Sequence, residues 1–298
     1  MDEVTSASAA ASRLAALRSA NPEWCTWLAL LDVAVGALLD PVWRRAVPDV
    51  PCAKGDGTPL LGEALLTVDR RASSDFVARL MSAATDSPAG NLSVIAEKTE
   101  VTDLLEAAVR CDYPRLAVLA AAAGAEPAAL HAVAPLLVLP ILQSCARSWQ
   151  VCVPSAWDRG YCPVCGAWPA LAEARGLEGS RRLRCGRCGG DWGAAWLRCP
   201  FCGTDDHNRL GALVSEATGL TRKLDVCFAC KGYVKTLTVL TPTPAGDVPI
   251  ADLETVDLDL AALAHGFSRP SEPGYRLRAT VVPRRRISRG VFGVLRSR

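Results

Sequence analysis

Four Cys-x-x-Cys pairs fall within 69 residues: Cys162/Cys165, Cys185/Cys188, Cys199/Cys202 and Cys227/Cys230. Two thiolates three positions apart can grip one ion from a tight turn, and two such turns close a tetrahedral site. Ribbons this short need such a staple. Metal binding supplies it, on the order of 10 kcal/mol of folding free energy per site. A glycine after the second cysteine lets the chain turn so that backbone N–H groups face the sulfurs. That glycine is present as Gly166, Gly189 and Gly203. In the last pair Lys231 precedes Gly232, so a different backbone geometry is expected there.

The array repeats. Cys-Pro-x-Cys-Gly occurs at 162–166 and again at 199–203. Each copy leads into a hairpin-like segment, a second cysteine pair and a strand with an aromatic residue. The hairpins are expected to turn near Leu177 to Ser180 and near Ala217 to Gly219. The closing strands are expected at Trp192 to Trp196 and Tyr233 to Leu237. Tandem units are the simplest reading. They assign Cys162, Cys165, Cys185 and Cys188 to one metal site, and Cys199, Cys202, Cys227 and Cys230 to the other. Spacing alone also permits interleaved pairing. His207, five residues past Cys202, is a spare ligand that is better read as part of a surface turn. His131 and His265 show no convergent partners.

The remaining chain reads as α+β, with a helical part first. Residues 1–155 carry helical stripes: Trp24, Trp27, Leu28, Leu31, Val35, Leu38 and Leu39 after an Asn21-Pro22 start, then Val101, Leu104, Leu105, Ala108 and Val109. Pro48 to Pro59 reads as a loop. The two cysteine modules occupy 156–198 and 199–240, and Thr241 to Gly246 marks an exit. Residues 241–298 hold one further helix, Ile250 to Leu263, and an end with eight arginines and no acid beyond Tyr275. That tail is expected to be solvated and mobile, so deleting 276–298 should leave the core unchanged. The single cysteines Cys25, Cys52, Cys111, Cys145 and Cys152 are expected to be small buried hydrophobes.

Thirteen cysteines in a 298-residue chain do not suggest a secreted disulfide scaffold, because those are short chains without a core. Met1 to Arg18 lacks a basic region followed by an apolar core. The most apolar run, Ala132 to Leu142, has 11 residues and two prolines, and is expected to be a buried helix or helix pair. These features read as a soluble, cytoplasmic protein without membrane insertion. Residues 156–240 contain 12 Lys or Arg against 8 Asp or Glu, a balance of +4. Two four-thiolate sites holding divalent ions contribute about −2 each, which leaves a near-neutral module without the footprint that phosphate binding needs. There is no phosphate-binding glycine loop, no dinucleotide motif and no nucleophile–base arrangement, so no enzyme is indicated.

The motifs resemble the formate dehydrogenase accessory proteins of the FdhE family. The likeness rests on Cys162-Pro-Val-Cys-Gly-Ala-Trp-Pro169, Leu183-Arg-Cys-Gly-Arg-Cys188 with Trp192, and Arg198-Cys-Pro-Phe-Cys-Gly203. It continues through Cys227-Phe-Ala-Cys230 with Tyr233 and Lys235, and Ala251-Asp-Leu-Glu-Thr-Val-Asp-Leu-Asp259. The resemblance implies a helical domain followed by two rubredoxin-like (zinc-ribbon-like) modules. It implies two metal ions on the eight paired cysteines, with iron expected and zinc possible. It also implies a cytoplasmic maturation factor that binds the catalytic subunit of respiratory formate dehydrogenase. Two other classes compete: a zinc-ribbon nucleic-acid-binding protein and a rubredoxin-like electron-transfer protein. Tyr161 and Trp168 are candidate aromatic anchors for a partner.

Overall fold

In the computed structural model, residues 3–49, 56–84, 91–215 and 219–284 are described. The expected turn at Ala217 and Thr218, Cys52, half of the Pro48 to Pro59 loop and the arginines from Arg285 onward lie outside them. Helices α1 (Glu3–Ala20) and α2 (Cys25–Gly36) precede strand β1 (Leu65–Val68) and helix α3 (Arg70–Ser82). Helices α4 (Ser93–Lys98), α5 (Val101–Arg110), α6 (Tyr113–Ala123) and α7 (Pro127–Ser148) follow. Strands β2 (Leu171–Arg175), β3 (Ser180–Arg184), β4 (Asp191–Gly193), β5 (Leu210–Val214), β6 (Arg222–Cys227) and β7 (Tyr233–Val239) then form one sheet. Helices α8 (Val248–Leu253) and α9 (Val256–Ala264) and strand β8 (Thr280–Pro283) complete the α+β fold.

Helix starts in the first half follow local chemistry. Asp69 and Asp112 accept from the backbone N–H groups of Ala72 and Arg115, each 3.0 Å away, which satisfies a first-turn donor. Asn21 behaves differently from its expected role. It makes no cap bond to α2; instead its side-chain amide donates to Leu17 O at 3.1 Å and closes the end of α1. The stripe on α5 is buried as its spacing requires. On α2, Leu28 and Leu31 are buried, whereas Leu39, past the end of the helix, is exposed.

Helix α7 is the centre of the helical half. It runs unbroken for 22 residues with Pro135 and Pro140 inside it, one helix and not a pair. Each proline removes one intrahelical donor, but the flanking apolar surface is buried on several sides. By length and composition, Pro127–Ser148 and Pro22–Leu39 could each cross a bilayer; most of Pro127–Ser148 is buried inside this fold.

The six strands are ordered β4-β3-β2-β7-β6-β5. Each module is an antiparallel three-stranded meander, and the two are joined by parallel pairing of β2 with β7. The sequence repeat is therefore laid twice in the same order along one sheet. Gly176 and Gly179, with φ of +67° and +62°, turn the first hairpin. Its closing strand is shorter than expected: β4 ends at Gly193, and Trp196 lies outside it.

One face of the sheet meets α8 and α9. Leu171 packs with Val248 and Ala251, and Leu224, Val226 and Tyr233 pack with Leu258, Ala262 and Phe267. The expected single helix breaks at Glu254-Thr255, where the Thr255 hydroxyl turns back to Ala251 O. The junction is fastened by charge. Buried Lys235 of β7 reaches Asp252 at 2.6 Å and Asp259 at 2.7 Å, and Arg269 binds both carboxylates at 2.8 Å. The Tyr233 hydroxyl donates to Asp259 at 2.6 Å. Burial opposes ionisation of Asp252, but Arg269 and Lys235 outweigh it and hold the carboxyl below the usual carboxylate range. The unfolded chain then binds the extra proton, so this stabilisation is full above about pH 4 and is lost as pH falls through the folded value. Lys235→Met leaves two carboxylates facing one arginine and is expected to cost about 3 kcal/mol, measured by denaturant unfolding at pH 7. The penalty should shrink in acid.

Beyond Tyr275 the chain is not a free tail over its described part. β8 pairs in parallel with β1, from Leu65 opposite Thr280 to Val68 opposite Pro283. Arg278 N and Arg284 N donate to Gly62 O and Val68 O, and Arg110 Nε holds Ala279 O at 2.7 Å. Leu277, Ala279 and Val281 are buried in the main core.

Candidate metal centres

All four cysteine pairs sit in the same turn. The N–H of the first cysteine donates to the carbonyl five residues on, at 2.8–2.9 Å: Cys162 to Ala167, Cys185 to Gly190, Cys199 to Thr204 and Cys227 to Gly232. The glycine after the second cysteine takes a left-handed φ of +71° at Gly166, +69° at Gly189 and +75° at Gly203. Lys231 takes the same conformation, φ +59°, so its departure from the pattern does not change the turn. A side chain pays about 1 kcal/mol for that region. Stacking of Lys231 Nζ over Phe228 and Phe267, at 5.8 and 5.6 Å, offsets part of it.

The turns converge in pairs. Cys162, Cys165, Cys185 and Cys188 form one group, and Cys199, Cys202, Cys227 and Cys230 the other. Within each group the four sulfurs lie within 4.8 Å of one another. The grouping matches the tandem assignment and not the interleaved one. Four sulfurs at about 2.3 Å from one ion would stand about 3.8 Å apart in a tetrahedron. Cys199 and Cys230 are 3.7 Å apart and Cys202 and Cys227 3.8 Å; in the first group Cys162–Cys188 and Cys165–Cys185 are 3.4 Å. Both groups could hold a metal ion in closed four-sulfur coordination.

The thiols themselves call for a cation. Burial pushes Cys162 well up, and donating to its neighbours does the same to Cys188. Burial also opposes ionisation of Cys185, but hydrogen bonds from Cys162, Cys165 and Cys188 outweigh it and hold Cys185 well below the usual thiol value. In the second group burial raises Cys199 strongly and Cys230 to about 11. Cys227 falls despite burial, because the N–H groups of Cys230 and Ala229 donate to its sulfur. Four thiols so close share protons rather than all ionise; a bound cation would replace those protons.

The two centres differ in setting. All four cysteines of the first are buried and belong to the main core; in the second, Cys202 and Cys230 are exposed. Leu60 and Leu61 N–H groups bond the first turn at Pro163 O and Val164 O. Between Cys185 and Cys188, Arg187 donates to Ala108 O at 2.7 Å and Val109 O at 3.2 Å, capping carbonyls at the end of α5. A Cβ at Gly189 would meet Ala245 Cβ at 2.6 Å and its carbonyl oxygen at 2.8 Å, whereas at Gly203 the nearest group is the end of Arg198 at 3.9 Å. Both substitutions carry the left-handed penalty, but only one adds a clash. Gly189→Ala is expected to destabilise the chain by about 2 kcal/mol more than Gly203→Ala, read from denaturation midpoints.

Other candidates land elsewhere. His207 opens an exposed 3₁₀ turn, His131 bonds Tyr113 O, and His265 bonds Ala261 O. Cys145 is buried, which pushes its thiol up to about 12, but Cys25 is exposed at the start of α2. Cys111 is half-buried and ends α5 with φ +54°, a place usually taken by glycine. Tyr161 and Trp168 are not free anchors. They pack edge-to-face with each other, and Trp168 packs edge-to-face with Phe201. Their polar atoms bond Gly57 O and Glu272 O. Among the described residues, the exposed large aromatics are Trp196 and Phe228, beside the second centre. The sequence signal for Trp196 was its place just before Arg198-Cys199.

No protein-family model matches the chain. It is 32% identical over 115 residues to a protein named FdhE homolog from Aquifex aeolicus, covering 37% of this chain and 40% of the relative. It is 36% identical over 115 residues to the FdhE homolog of Stutzerimonas stutzeri, covering 38% of this chain and 37% of the relative. Each match thus spans about two fifths of the relative's length. The crystal structure of the FdhE protein from Pseudomonas aeruginosa superposes with a TM-score of 0.54 at 20% identity, covering 88% of this chain and 93% of the other. In fold, over most of its length, this chain is like the FdhE crystal structure, and over the matched segments its sequence is similar to FdhE homologs.

Proposed function

We propose that this chain is a cytoplasmic accessory factor that binds the catalytic subunit of formate dehydrogenase during its maturation, and that its two centres hold iron. The observation that carries the reading is the pair of four-sulfur clusters on one sheet, fixed to a helical body, in a chain with an FdhE-like fold. Closed four-thiolate coordination leaves no position for a substrate, so the ions would support surfaces or carry single electrons rather than hydrolyse bonds. Trp196, Leu197 and Phe228, exposed around the second centre, supply the apolar anchors that a partner surface uses. Exposure of Cys202 and Cys230 also favours electron exchange at that centre as a secondary role.

Deleting the gene is expected to abolish respiratory formate oxidation, and the tagged chain is expected to recover the catalytic subunit from cells. Normal oxidation in the deletion strain with no subunit recovered would sink the assignment. Specific recovery of nucleic acid would favour the ribbon alternative instead.

A further inference from the structure

The chemistry of the two clusters is the same, yet the routes into them are not. The first cluster lies under the segment bonded to Pro163 and Val164, Ala245 over Gly189 and Tyr275 over Gly166, with a cavity of about 550 Å³ reaching its edge at Cys188 and Gly190. Tyr275 N also donates to Gly166 O at 3.0 Å. Each of these covers belongs to a different part of the chain. All four of its cysteines are buried in the main core, so freeing the first ion requires the packing around them to open, a sub-global event.

The second cluster is covered in part, where Ser268 N donates to Lys231 O at 2.9 Å and Phe201 lies over Gly232, but two of its cysteines are left exposed. Cys202 and Cys230 are exposed while Cys199 and Cys227 are buried, so two of the four cysteines lie at the surface. Gly203 has only the end of Arg198 near its outer side. The turn that carries Cys230 ends on Lys231 in the left-handed region, the one such turn without glycine there. A cavity of about 210 Å³ adjoins the cluster, lined by Cys199, Cys227, Phe201, Trp196, Leu210 and Lys223, among others. An incoming sulfur ligand can approach from solvent at Cys202 and Cys230, on the exposed part of the cluster.

We infer that the second centre is an exchange site, which passes its ion to incoming thiolate ligands, while the first keeps its ion until the sheet unfolds. The inference rests on the reading that both clusters hold metal. In each exchange step an incoming thiolate forms a bond to the ion at the open side. The bond from the ion to Cys202 or Cys230 breaks heterolytically, and the departing sulfur takes a proton from water. The ion keeps four sulfur ligands and its oxidation state, so no oxidant or reductant is consumed.

The test uses the full chain loaded with two zinc ions and challenged with a chromogenic chelator, with iodoacetamide pulses mapped by mass spectrometry. One equivalent is expected to leave at once, the other at least about 100-fold more slowly and with the rate of unfolding. During the fast phase Cys199, Cys202, Cys227 and Cys230 should be alkylated, and Cys162, Cys165, Cys185 and Cys188 spared. Cys230→His, which keeps four ligands, should change the fast phase alone. Release of both equivalents in one phase, or alkylation of Cys162 to Cys188 in the fast phase, overturns the inference while leaving metal binding intact. A chain that holds fewer than two ions overturns both.

Discussion

Replacing Cys162 with serine is expected to remove one metal ion per chain and, with it, most of the stability of the fold. Cys162 is wholly buried, and its cluster lies inside the main hydrophobic core together with Val164, Leu183 and Trp192. Loss of one thiolate leaves three buried sulfurs around an ion with an incomplete shell, or three thiols with no ion. A structural four-sulfur site contributes on the order of 10 kcal/mol, as much as the whole net stability of a typical domain. Cys185→Ser should give the same phenotype, because both residues serve one cluster. Cys202→Ser also lowers the metal content from two to one, but its cluster is half exposed and outside that core. The helical body and first module, which share the main core, should remain folded, with the loss confined to the second module. Metal analysis and thermal melts of the three variants, purified alike, separate these outcomes. Equal melting temperatures for Cys162→Ser and Cys202→Ser would contradict the division into a core centre and a surface centre.

Ending the chain at Tyr275 is expected to prevent accumulation of folded protein, whereas ending it at Arg284 is expected to be silent. The shorter chain loses β8, uncovers the edge of β1, and removes Leu277 and Val281 from the core. Burial of each such side chain is worth roughly 1.5–3 kcal/mol. Arg110 Nε loses its acceptor at Ala279 O, and Glu106 loses the N–H of Val281. The sum is on the order of 5 kcal/mol, comparable with total stability. A chain ending at Arg284 keeps every one of these contacts. Limited proteolysis and circular dichroism of the two truncations provide the comparison.

The cysteine turns were legible because their geometry is local. Spacing, the following glycine and the repeated Cys-Pro-x-Cys-Gly specify each turn within six residues, and the tandem grouping followed from the repeat. What joins the modules was not legible, since pairing of β2 with β7 is set by residues about 60 positions apart that carry no local mark. Burial of one centre and exposure of the other depends on Tyr275, Ala245 and the segment around Leu60, all distant in sequence. The tail misled because arginine count alone describes solvation, while Leu277 and Ala279, leading into β8, and Val281 within it alternate as buried residues among those arginines. Asn21-Pro22 looks like a helix start, yet the preceding helix claims the asparagine. Lys235, Asp252 and Asp259 stood out only as a motif. Their mutual ion pairs became readable when α8 and α9 were seen to lie across β7.

The most direct measurement is the metal content and absorption spectrum of the full chain purified without oxygen from cells grown with iron. Two ions per chain are predicted, as iron, with the visible absorption of ferric thiolate appearing on oxidation. Fewer than two ions bound per chain, or ions retained in full after all eight paired cysteines are replaced by serine, would contradict the assignment of two four-cysteine centres.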